Sequence, residues 1–144
     1  MSITQIPSSN DKLIIAAEIG KHAPLEVFDY WTKPELLCRW WPQEAEIDAR
    51  VGGKYHLAWP QMNWHLRGQY TCFEPGTQLA FTWKWDHDEE GMTVREVAII
   101  FEPLSDAGAK LTLTHGPYTD SADDQQVRIE HHLQGFRPKL SLYI

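Results

Sequence analysis

The side chains able to do chemistry in this chain are few and scattered. Arg95 opens "REVAIIFEP" with the same strand parity as Val97, Ile99 and Phe101. Its guanidinium either lies on the rim of a sheet or turns inward, where it needs a carboxylate from the protein or from a ligand. His115 closes "LTLTH" and shares parity with Leu111 and Leu113. It reads as a hydrogen-bonded structural histidine or as an orienting or acid/base group. Tyr70 offers an inward hydroxyl or simple core packing. His131 and His132 are adjacent, whereas paired helical ligands need a spacing of three or four to share a face, so no metal site is expected. There is no nucleophile elbow, phosphate loop or HExxH pattern, and "RVGGKY" is a turn. No cofactor is expected.

Aromatic side chains are the more unusual resource. The chain carries seven tryptophans, five phenylalanines and five tyrosines. Trp40 and Trp41 stand side by side ahead of Pro42. Adjacent helical residues point about 100° apart, so the two indoles cannot enter one core in the same way. Trp40 is expected to anchor the core and Trp41 to lie near a cavity mouth.

The elements that must position these residues follow from periodicity. "KLIIAAEI" reads as a strand. Two short helices follow, opened by Pro24 and Pro34, with Val27, Phe28 and Trp31 at helical spacing and Pro42 as the stop. From residue 44 the period becomes two. Strands are expected in "AEIDARV", "KYHLAW", "WHLRGQYTCF", "LAFTWKW", "TVREVAIIFEP" and "AKLTLTHG", joined by short turns. That makes seven strands in hairpin succession and hence an antiparallel sheet. Parity on "WHLRGQYTCF" is open. If Leu66, Gly68, Tyr70 and Cys72 face in, His65 and Arg67 face out, and a one-residue bulge reverses this. Ile129, Leu133, Phe136, Leu140 and Tyr143 form a helical stripe interrupted by Pro138, where a kink or break is expected. The expected fold is α+β, a helix-grip single domain over residues 1–144. In it a curved sheet with one apolar face wraps a long C-terminal helix. Residues 1–10 are expected to be flexible.

Composition narrows the function. The net charge is -7, with acidic patches in "DHDEE" and "DSADD", so nucleic acid is not an expected partner. No stretch is apolar enough to span a membrane, and "MSITQIPSSN" lacks a signal-peptide pattern, so a cytoplasmic location is expected. Cys38 and Cys72 read as reduced, buried thiols without metal-ligand spacing.

Eight segments occur in order: "AP" with "EVF", "PELLxxWW", "DxRVGGxY", "RGxY", "LAFTWKW", "FEP", "LTLTHG" and "HLQGF". Together they resemble the bacterial relatives of the activator of heat-shock protein 90 ATPase, within the SRPBCC or START-like superfamily. The resemblance covers nearly the whole chain. It implies a helix-grip fold with a cavity between the concave sheet face and the last helix. The superfamily includes lipid-transfer domains, cyclases, hormone binders and co-chaperone domains, so the site must decide the function. The expected lining is Trp41, Tyr55, Trp59, Tyr70, Phe81, Trp83, Trp85, Arg95, Ile99, Leu113, His115, Leu133 and Phe136. A small hydrophobic or aromatic molecule is the expected partner of a monomer or weak dimer. A protein-interaction or stress-response module is the second reading, and a cyclase- or hydratase-type enzyme the third. A solid aromatic core stands beside all three.

Overall fold

The computed structural model of the protein describes residues 2–9, 11–20, 22–86, 94–104, 107–119 and 121–130. Eight strands form one open antiparallel sheet: β1 (Ser2–Ile6), β2 (Leu13–Ile19), β3 (Glu44–Ile47), β4 (Lys54–Trp59), β5 (Trp64–Glu74), β6 (Gln78–Trp85), β7 (Arg95–Pro103) and β8 (Ala109–Gly116). Their spatial order is β1-β2-β8-β7-β6-β5-β4-β3. Strands β3 to β8 are a meander, and β2 closes onto β8 from the other side. Helices α1 (Pro24–Thr32) and α2 (Pro34–Leu37) connect β2 to β3, and α3 (Ala122–Glu130) follows β8.

The sheet has one strand more than the seven expected. Residues 2–6, expected to be flexible, pair with β2 from Ser2↔Glu18 to Ile6↔Ile14. The segment "SITQI" has no strict alternation to announce a strand, and backbone pairing to an existing edge supplies its order instead. The segment expected as one strand over 45–51 stops at Ile47. Beyond it a turn runs to Gly53, and Val51 is 61% exposed. Leu133, Phe136, Leu140, Tyr143 and the Pro138 break lie outside the described residues.

Local sequence explains the helices. Pro24 takes the first position of α1, where its missing N–H costs nothing, and Glu26 accepts the Ala23 N–H at 3.3 Å. Val27, Phe28, Trp31 and Thr32 are buried on one stripe. Full burial of Phe28 alone is worth about 2 kcal/mol. Lys33 then adopts φ -96, ψ 122, the extended conformation that a following proline favours, and Pro34 opens α2.

One face of the sheet is the core. Leu13, Ile15, Ile99, Leu111 and Leu113 are essentially inaccessible, and Tyr55, Leu57, Leu66, Tyr70, Phe81 and Trp83 continue that face across β4 to β6. The ambiguous strand is settled by a bulge. The β5–β6 register shifts between Tyr70, opposite Phe81, and Cys72, opposite Ala80. Leu66 and Tyr70 therefore face in, and beyond the bulge Phe73 packs on the core while Cys72 does not.

A candidate ligand cleft on the concave face

Five indoles form a continuous chain of ring contacts. Trp31 meets Trp40 edge-on at 4.8 Å between centroids, Trp40 stacks on Trp41 at 5.7 Å, and Trp41 stacks on Trp83 at 5.6 Å. Trp83 then meets Trp85 edge-on at 5.7 Å. Trp59 joins from the side against Trp41 and Trp85. The two adjacent tryptophans, in the turn after α2, are buried to different degrees. Trp40 is buried, and its Nε1–H donates to the Tyr30 carbonyl at 2.9 Å. Trp41 is only partly buried and faces a cleft. Trp40→Phe is expected to lower stability by about 1–2 kcal/mol, through the lost hydrogen bond and the unfilled volume. Chemical denaturation with an unchanged m-value is the check.

The cleft is lined by Trp31, Leu37, Trp41, Tyr55, Leu57, Tyr70 and Phe81. Its interior admits solvent over only about 10 Å³. That is room for about one water. The Tyr55 hydroxyl is engaged, donating to the Thr82 carbonyl at 2.5 Å. Burial pushes the Tyr55 and Tyr70 hydroxyls well above the ordinary tyrosine range, so both stay protonated at neutral pH. The Trp31 Nε1–H is buried and has no acceptor among the described residues.

A polar cluster begins where this wall ends. The His115 ring sits 4.7 Å from Trp83, and its Nδ1 is 2.7 Å from the Tyr118 hydroxyl. The Arg95 guanidinium lies 4.8 Å from the centre of the Tyr118 ring and donates to Asp124 at 2.8 Å. Only 6% of the Arg95 side chain is exposed, so it is not the rim group that its place at a strand start suggests. It turns inward because Asp124, at the start of α3, supplies the carboxylate that a buried guanidinium needs. Asp124 is held in turn. The Thr119 N–H donates to its Oδ2 at 2.7 Å, and that hydrogen bond, with help from Arg95, keeps its carboxyl below the usual carboxylate range. Tyr118 is pushed upward by burial and remains a phenol. The His115–Tyr118 pair is therefore built for hydrogen bonding rather than for a tyrosinate base.

The expected site residues thus fall into groups. Trp41, Tyr55, Tyr70 and Phe81 meet at the cleft. Trp59, Trp83 and Trp85 form the adjoining wall, with Trp85 half-buried. Arg95 and His115 stand at its polar end. Ile99 and Leu113 are cross-strand partners deep in the core, away from the cleft lining. Leu133 and Phe136 lie outside the described residues. Sequence reading missed Trp31, Leu37, Tyr118 and Asp124. The helical spacing from Val27 to Trp31 marks Trp31 as buried, and nothing local marks Asp124. Among the described residues no three His, Cys, Asp or Glu side chains are grouped to hold a metal, and no helix is long and apolar enough to cross a membrane.

Comparison with known proteins agrees with this architecture. The profile of the family described as activator of Hsp90 ATPase homolog 1-like protein matches residues 21–140. A Mesorhizobium loti protein of solved structure superposes with a TM-score of 0.77 at 17% identity, covering 91% of this chain and 92% of its own. An HSP90 activator from Plasmodium falciparum superposes with a TM-score of 0.70 at 22% identity, covering 90% and 91%. The protein CalU16 from Micromonospora echinospora reaches 0.62 at 20% identity, covering 97% and 87%. No curated protein matches significantly.

Proposed function

We propose, for a chain that belongs to the activator of Hsp90 ATPase homolog 1-like family, that it binds a small planar apolar molecule in the concave cleft. The ligand would carry a hydrogen-bond acceptor such as a carbonyl oxygen. One observation carries this reading: the aromatic cleft is lined in part by Trp31, whose buried indole N–H has no acceptor among the described residues. An unmet buried donor costs about 1–3 kcal/mol, and a ligand acceptor recovers it. The rings supply the apolar area and the donor fixes orientation. A space of about 10 Å³ does not hold a ligand as it stands. Trp41 is the lining side chain that must swing, because it is the partly exposed one. The His115–Tyr118 pair would meet a polar substituent at the far end of the wall.

The test is a panel of planar aromatic ketones beside their hydrocarbon isosteres, read by tryptophan fluorescence and melting temperature. A ketone is expected to bind at least about 10-fold tighter than its isostere. At 100 times its dissociation constant it adds about 2.7 kcal/mol of stability. Trp41→Ala is expected to weaken binding at least about 10-fold while the fold persists. Equal, weak binding of both members of each pair would remove the case for the Trp31 donor.

A second reading rests on exposed apolar side chains where β4 leads into β5. Met62 and Trp64 are 49% and 44% exposed, Trp64 lies edge-on to Trp85, and exposed apolar side chains beside a well-filled core suit a protein partner. An unchanged Trp41→Ala variant together with a partner lost in Trp64→Ala would favour it.

A further inference from the structure

Two histidines meet on the outer face of the sheet, away from the aromatic wall. Register sets Glu46 opposite His56 and His56 opposite Arg67, and places His65 opposite Ala58. His56 Nε2 and His65 Nδ1 are 2.8 Å apart, with ring centroids 5.0 Å apart and planes 30° from parallel. The rings therefore approach end to end, through nitrogens that both have lone pairs or exchangeable protons. Both side chains are partly exposed, so an ion can reach them from solvent.

We infer that His56 and His65 form a two-imidazole site for a divalent transition-metal ion, with Cu²⁺ preferred. Metal–nitrogen bonds of 2.0–2.1 Å meeting at a right angle set two ligand nitrogens about 2.9 Å apart, close to the separation already present. The paired backbones of β4 and β5 fix both Cα positions, so only ring rotations are needed to aim both lone pairs at one ion. The proton now shared between the two rings moves to the remote nitrogen of its own ring, and both imidazoles bind neutral.

The charges around the pair are compatible with a cation. Arg67 is occupied by Asp86, with its Nε 2.9 and 3.2 Å from the two carboxylate oxygens, and Glu46 lies beside His56. Lys84, opposite Arg67, is exposed. No third protein ligand is grouped with the histidines among the described residues, so water completes the coordination. With two imidazoles and water as ligands, the Irving–Williams order decides, which places Cu²⁺ above Ni²⁺ and Zn²⁺.

The test titrates Cu²⁺, Ni²⁺ and Zn²⁺ salts into the full chain by calorimetry and records the electron paramagnetic resonance spectrum at one equivalent of Cu²⁺. The expected results are one site, affinity highest for Cu²⁺, and hyperfine splitting from two imidazole nitrogens. His56→Gln and His65→Gln are each expected to weaken Cu²⁺ binding at least about 10-fold without moving the metal-free melting temperature. Full-strength binding in both variants, a spectrum without imidazole nitrogen, or no binding to the folded chain would overturn the site. The spectrum needs no variant, so a misfolded variant would not rescue it.

Discussion

Gly68→Ala lowers the stability of this protein by about 3 kcal/mol or more, enough to move its melting temperature by about 10 °C or to prevent folding. A β-carbon at residue 68 would stand 2.0 Å from the Thr82 carbonyl oxygen and 2.6 Å from Cε1 of Tyr55. Neither obstacle can yield cheaply. The Thr82 carbonyl belongs to the β6 backbone and accepts the Tyr55 hydroxyl. The Tyr55 ring lies across Gly68 in register and lines the cleft. The β5–β6 pairing skips residues 68 and 69, and the Gln69 N–H donates to the Thr82 hydroxyl at 2.9 Å. Glycine at 68 is thus what lets Tyr55 close the floor of the cleft. Thermal denaturation of the purified variant is the check. A shift of less than about 2 °C would mean that the β5–β6 backbone separates easily, against a packed cleft floor.

Asp124→Ala is the second large expectation. It leaves the Arg95 guanidinium buried without its carboxylate and removes the acceptor of the Thr119 N–H. Breaking a buried pair from one side costs about 3 kcal/mol. Arg95→Met combined with Asp124→Ala recovers much of that loss, because no buried charge remains. The pH dependence follows with a definite sign. The Asp124 carboxyl is depressed in the folded state by the Thr119 N–H and by Arg95. Its contribution is therefore complete above the unfolded carboxylate pKa of about 3.9 and is lost as pH falls through the lower folded value. Stability of the parent chain should drop below about pH 4 more steeply than that of Asp124→Ala. Parallel acid limbs for the two proteins would show that the carboxylate contributes no pH-linked stability.

These residues mark the boundary of what the sequence reveals. Strand parity places Tyr55, Phe81, Trp83, Ile99 and Leu113 inside, because alternation on a one-sided sheet leaves each residue two options. Helical spacing and the flanking prolines account for α1 and the start of α2, but α2 ends at Leu37, and Trp40 and Trp41 lie in the turn beyond it, so their different burial follows from tertiary packing and not from helical spacing. The Tyr70–Cys72 bulge cannot be read from composition, since it moves a single residue and leaves the pattern on either side intact. The Arg95–Asp124 pair is equally hidden. Its members are 29 residues apart, and only the path from β8 into α3 brings them together. The size of the cleft is hidden for another reason. The same aromatic face either encloses a cavity or interdigitates, and side-chain rotamers decide between the two. Here the rings interlock until about one water's space remains.

The most direct test of the account follows the indole N–H signals of ¹⁵N-labelled protein, assigned by single Trp→Phe variants, while a planar aromatic ketone is titrated in. The account predicts saturable shifts at Trp31 and Trp41, a smaller one at Trp83, and none at the exposed Trp64. Trp31 should move downfield as its N–H gains an acceptor. Shifts confined to Trp64, or none among the cleft indoles at saturating ligand, would contradict a concave binding site and leave the cleft as filled core.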